Sequence, residues 1–126
     1  MTYQQKFQQD MQRTAGRFHD LVSNNRVMMF SSTNCDYCDV AKKTFDSLGT
    51  TYNTLEINKL GLEGSYMRNT LKAVTGSRSV PSIFICGEAV KGGSSGLTDL
   101  VSSGQLEGML TRCCQGDLTC SSRKHR

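Results

Sequence analysis

The chain has 126 residues, enough for one domain with a single modest core and no dependence on metal or disulfide staples. Its formal net charge is +4, but the closing SSRKHR holds several of the basic side chains and aromatics make up only 7%, so nucleic-acid binding is not indicated. No stretch approaches the roughly 18 consecutive apolar residues of a membrane span, and the first twenty residues, which set Asp10 and Asp20 against Arg13 and Arg17, resemble neither a secretory leader nor a transit peptide. A cytoplasmic location is the expectation, and six cysteines there point to reduced thiols in redox or metal chemistry rather than to a disulfide framework.

Residues 3–22 place Phe7, Met11, Phe18 and Leu21/Val22 at helical spacing, which predicts a helix interrupted by a tolerated Gly16. The short run 26-RVMMF-30 suits a strand covered on both faces. After the SSTN loop, Val40, Ala41, Thr44, Phe45 and Leu48 recur at helical intervals until Gly49, a stop signal, so Cys35 stands at the mouth of a helix. Residues 51–57 alternate as a strand, and 62–74, closed by Gly76, read as a helix despite Gly64. Pro81, the single proline, precedes a strand at Ile83–Ile85, and Gly87 turns the chain into a second strand. A Gly/Ser-rich loop at 92–96 then leads into two short helical pieces separated at Gly104. The order αβαβαββα defines one domain over 1–115, with an N-terminal helix at about 3–22 and a core at about 26–111. Residues 116–126 read as a loose basic tail.

The motif Cys35-Asp36-Tyr37-Cys38 carries the chemistry. A thiol attacks as thiolate, which the unpaired N–H groups and positive dipole end of a helix N-terminus favour. Cys35 has that position. Cys38, about one turn further in, reads as a more buried thiol close enough to resolve a mixed disulfide formed at Cys35. The same spacing occurs in half of a zinc site, but no second pair follows at suitable spacing, since Cys113 and Cys114 are adjacent. Cys86, in the apolar IFIC, is expected to pack as a small buried hydrophobe, and Cys113, Cys114 and Cys120 to be exposed thiols open to oxidation.

A CxxC after the first strand, in this element order, is the pattern of a thioredoxin-like redox domain. The segment 30-FSSTNCDYC-38 resembles the active-site segment of glutaredoxins, including the tyrosine before the second cysteine. In the same way 75-TGSRSVPSIFICG-87 resembles their TVP strand, and Gly92-Gly93 with the polar pair Ser94-Ser95 and Asp99-Leu100 resembles the end of their glutathione loop. The resemblance runs from about Arg26 to Leu110. It implies a thioredoxin-like (glutaredoxin) α/β fold, a central four-stranded mixed sheet flanked by helices, here with an additional N-terminal helix. It also implies a glutathione-dependent thiol–disulfide oxidoreductase that reduces protein–glutathione mixed disulfides and, with both cysteines, protein disulfides. By the same resemblance Pro81 is cis and faces the CxxC, and the backbone of Val80 holds the cysteinyl part of glutathione. Arg68 meets the glycine carboxylate with Arg78 nearby, Gly93, Ser94 and Ser95 hold the γ-glutamyl end, and Tyr37 lines the groove. The partners are glutathione as reductant and glutathionylated or disulfide-containing proteins, with no nucleic acid and no membrane, and the chain is a monomer.

Two positions depart from the pattern. Ser32 stands where the family often has a lysine, and Asp36 where it commonly has proline or serine. A carboxylate beside the thiol opposes thiolate formation, although aspartate in a first helical turn suits the dipole, so a weaker electrostatic activation is expected. The missing proline also sustains a second function. Cys35 and a glutathione thiol could ligate half of a [2Fe–2S] cluster, with a second protomer completing it, which makes a cluster-carrying dimer or redox sensor.

Overall fold

The structure, a computed structural model, describes residues 1–114. Helix α1 spans Tyr3–Asn24 and starts with a reciprocal cap: Thr2 Oγ1 accepts the Gln5 N–H at 3.1 Å, and Gln5 Oε1 accepts the Thr2 N–H at 2.8 Å. It runs unbroken through Gly16, which has nothing within 4 Å of its Cβ direction. Its buried residues, Thr14, Phe18 and Val22, lie in the second half, and in the first half Phe7 meets the Tyr66 ring edge-on with centroids 5.6 Å apart.

The strands are β1 (Val27–Ser31), β2 (Asn53–Glu56), β3 (Ser82–Ile85) and β4 (Glu88–Ala89). Between them lie α2 (Asp36–Leu48), a 3-10 turn at Ile57–Lys59 and α3 (Leu62–Thr75). Helices α4 (Gly93–Ser103) and α5 (Leu106–Thr111) follow, and Arg112–Cys114 form a last 3-10 turn. The sheet order is β2-β1-β3-β4, with β1 parallel to β2 and antiparallel to β3, and β4 antiparallel to β3. All five residues of β1 are buried, as a strand between two helical layers requires. Alternation divides them: Val27 and Met29, with Ile83 and Ile85, pack on Ala41, Phe45, Leu97 and the apolar side of α5. Met28 and Phe30, with Phe84, pack on Phe18 and Val22 of α1 and Met67 and Leu71 of α3. There the Phe18, Phe30 and Phe84 rings meet with centroids 5.1–5.8 Å apart, each ring contributing about 1.5–3 kcal/mol by burial.

Four expectations are corrected. The strand predicted over 51–57 is shorter, because Ile57 turns into the 3-10 segment. The predicted loop at 92–96 is helical from Gly93 onward, so Gly93, Ser94 and Ser95 form the first turn of α4. Cys86 packs against the core as a partly buried side chain, but it is not a free thiol: it is disulfide-bonded to Cys113, 27 residues away. The cysteines are therefore not all reduced. The physical reason is that the turn after α5 brings Cys113 back over the β3–β4 hairpin, where Cys86 and Gly87 occupy a two-residue turn at φ of 52° and 83°. The tail at 116–126, with Cys120, lies outside the described residues.

Candidate functional site

Helix α2 begins at the CxxC because Cys35 is its N-cap, in extended conformation, and Gly49 closes it in the left-handed region with φ of 69°. Cys35 Sγ takes the place of a capping oxygen, accepting the Cys38 N–H at 3.0 Å. The helix start therefore directs an otherwise unpaired N–H at the sulfur that has to carry negative charge. The approach to Cys35 is held by Asn58, whose Oδ1 accepts the Thr33 N–H at 3.1 Å and whose Nδ2 donates to Thr33 Oγ1 at 2.6 Å. Lys42, donating to Glu56 at 3.1 Å, ties the next turn of α2 to the end of β2.

The two thiols differ in environment. Cys35 is partly exposed, whereas Cys38 is fully buried. Burial pushes the Cys38 thiol upward, and its hydrogen bond with Cys35 adds to this. The Ser31 hydroxyl and the Ser32 backbone act in the opposite direction without cancelling it. Cys38 therefore stays protonated where a free thiol begins to ionise, as suits a thiol that waits behind the first.

Cys35 Sγ lies 3.9 Å from the Val80 carbonyl oxygen, so the strand that carries Pro81 meets the CxxC, and the Val80–Pro81 peptide is cis. From this junction a cleft of about 680 Å³ runs between Tyr37, the 74–82 segment and the start of α4. Val80, Pro81, Gly93, Ser94 and Ser95 all line it, as does Tyr37, which is 70% exposed. Gly93 is required at its position: it has φ of 57°, and a Cβ there would stand 3.2 Å from the Pro81 carbonyl oxygen.

The two arginines lie differently. Arg68 donates to the Arg78 carbonyl at 2.7 Å, Arg78 bonds Asn69 Oδ1, and neither side chain is among those lining the cleft. Sequence reasoning missed Asn58, whose signal is only an amide in a connecting segment, and the lining residues Val74, Thr75, Ser77, Ser79 and Lys91. Lys91 had a usable signal, a lysine directly before the Gly92-Gly93 pair. Among the described residues no group of three or more His, Cys, Asp or Glu side chains is placed to hold a metal ion, and no helix is long and apolar enough to cross a membrane.

A four-stranded mixed sheet between helices, with a CxxC at a helix start against a cis-proline strand, defines a thioredoxin-like thiol–disulfide oxidoreductase domain. The glutaredoxin family model matches residues 27–90. The chain is 41% identical over 92 residues to a glutaredoxin of Ricinus communis, covering 73% of this chain and 88% of that protein. Among solved structures, a buckwheat glutaredoxin–glutathione complex superposes with a TM-score of 0.77 at 34% identity, over 83% of this chain and 94% of that one. The holo form of glutaredoxin C1 from Populus tremula x tremuloides superposes with a TM-score of 0.73 at 28% identity, over 79% and 96%. The chain belongs to the glutaredoxin family.

Proposed function

We propose that the protein reduces protein–glutathione mixed disulfides, and protein disulfides by way of both cysteines, with glutathione as the reductant. The observation that carries this reading is the pairing of an accessible Cys35 with a buried Cys38 at the head of a cleft lined by Val80, Pro81 and the start of α4. In the proposed cycle the Cys35 thiolate attacks the glutathione sulfur of a mixed disulfide. The protein thiolate leaves and takes up a proton, and a Cys35–glutathione disulfide remains. A second glutathione thiolate attacks that disulfide, so that oxidised glutathione departs and the Cys35 thiolate is regenerated. With a protein disulfide as substrate, Cys35 forms the mixed disulfide, and Cys38 loses its proton and attacks the Cys35 sulfur. The second protein thiolate leaves and is protonated, and two glutathiones reduce the resulting Cys35–Cys38 disulfide, departing as oxidised glutathione. Bound glutathione runs along the cleft, with its cysteinyl backbone at Val80 and one end at Gly93, Ser94 and Ser95. Arg68, through its hold on the Arg78 carbonyl, shapes the Ser77–Ser79 edge at the other end.

A second reading, a glutathione-ligated [2Fe–2S] cluster shared by two protomers, is favoured by one observation: the site offers one accessible free sulfur among the described residues, Cys35, beside Asp36 rather than a rigid proline. Bound there, the group would supply electron-transfer or cluster-transfer chemistry. One experiment tests both readings. Wild type, Cys35→Ser and Cys38→Ser are purified anaerobically with glutathione, their visible spectra recorded, and their turnover measured in a glutathione-coupled mixed-disulfide assay. Colourless monomers, at least about a thousandfold loss in Cys35→Ser and retained mixed-disulfide turnover in Cys38→Ser are expected. Equal activity of Cys35→Ser and wild type overturns the first reading. Colour that depends on Cys35, in a dimer, establishes the second.

A further inference from the structure

Of the described residues that line the cleft, one is charged: Lys91. The others are apolar residues, glycines and hydroxyls, although the proposed ligand is a tripeptide with two carboxylates. Lys91 is exposed and has no ion-pair partner among the described residues, unlike Lys42, held by Glu56, and Arg112, held by Glu88. Its backbone is fixed closely. A Cβ on Gly96 would fall 1.7 Å from the Lys91 carbonyl oxygen, so the first turn of α4 packs directly against the Lys91 peptide. The N-cap of α4, Gly92, supplies no side-chain hydrogen bond, which leaves the first N–H groups of the helix open at the same end of the cleft. Meanwhile Arg68 and Arg78 are engaged with the Arg78 carbonyl and with Asn69.

We infer that Lys91 is the cation that pairs with a carboxylate of the glutathionyl group held at the α4 end of the cleft, and so sets affinity for glutathionylated substrates. This deepens the glutathione reading and rests on it. The ammonium is a compact charge on a flexible stem, free to swing over the start of α4, where the carboxylate also meets open backbone N–H groups. An exposed charge-assisted contact of this kind acts on binding and leaves the sulfur chemistry untouched.

The test compares wild type, Lys91→Met, Lys91→Arg and, as a remote charge control, Lys6→Met in the mixed-disulfide assay, with the glutathione mixed disulfide varied at fixed glutathione. Lys91→Met is expected to raise KM for that substrate about three- to tenfold with kcat unchanged, Lys91→Arg to restore it, and Lys6→Met to match wild type. When the substrate is instead a mixed disulfide of 2-mercaptoethanol, which carries no carboxylate, Lys91→Met and wild type should turn over equally. A KM for the glutathione mixed disulfide that is unchanged in Lys91→Met, or an equal loss with both substrates, overturns the role of Lys91. Absence of glutathione-dependent turnover in the wild type overturns instead the functional reading on which it rests.

Discussion

Among the described residues stand two cysteine pairs that occupy opposite kinds of position. Cys35 and Cys38 are free, three residues apart, one partly exposed and one buried, at the start of a helix and beside an open cleft. Cys86 and Cys113 are bonded to each other across 27 residues, between a hairpin turn and the turn after α5. The same functional group serves both, and placement separates the roles. The first pair has an N–H directed at its outer sulfur and a groove for an incoming thiol. The second also receives an N–H, from Cys113 to Cys86 Sγ at 3.2 Å, but its sulfurs are bonded to each other and line no part of the cleft, and it fixes where the last helix lies.

That contrast can be broken most forcefully at the second pair. Cys86→Ser should lower stability by about 2–4 kcal/mol, read as the urea midpoint of the non-reduced protein, and leave mixed-disulfide turnover per folded molecule near wild type. A comparable loss of turnover would mean that the second pair takes part in the redox cycle. A smaller effect sharpens the difference within the first pair. In Cys35→Ser, alkylation of Cys38 by iodoacetamide should be slow at neutral pH, with its inflection above the ordinary thiol value of about 8.5. The sign of the accompanying stability effect follows from the raised pKa. The contribution of protonated Cys38 is fully present below the unfolded thiol pKa and is lost as pH rises through the folded value. In the reduced protein, Cys38→Ala should therefore flatten part of the alkaline decline in the urea midpoint. The smallest effect belongs to the loop before Cys35. Asn58→Ala removes both hydrogen bonds to Thr33 and should cut kcat/KM about fivefold, near 1 kcal/mol, while Asn58→Asp should keep most activity because a carboxylate accepts from both the N–H and the hydroxyl. Equal losses in the two variants would show that the loop needs the amide itself.

Most of the fold was legible because it rests on local pattern. The apolar run of β1 and the 3.6-residue spacing of α2 follow from single segments of sequence, and the cysteine at the helix mouth follows from where the spacing begins. The family resemblance added Val80, Pro81 and the Gly93–Ser95 wall, and all of these line one cleft. What escaped depends on how distant segments return to each other. The pairing of Cys86 with Cys113 is decided by where α5 ends, and IFIC taken alone looks like an ordinary buried strand end. Arg68 stands at the expected place along the chain, but a carbonyl on the neighbouring segment claims its guanidinium. Asn58 becomes a clamp only because the parallel β1–β2 pairing brings the end of β2 next to the loop after β1.

The bond between Cys86 and Cys113 also has a topological consequence. The covalent ring it closes contains β4, Lys91, the Gly92-Gly93 pair and the whole of α4, whereas Tyr37, Val80 and Pro81 on the facing side belong to the linear part of the chain. One bank of the cleft is thus a segment of a macrocycle. When that bank opens locally it gains less chain entropy than a linear segment of equal length, so hydrogen exchange should find α4 more protected in the oxidised protein than in the reduced one.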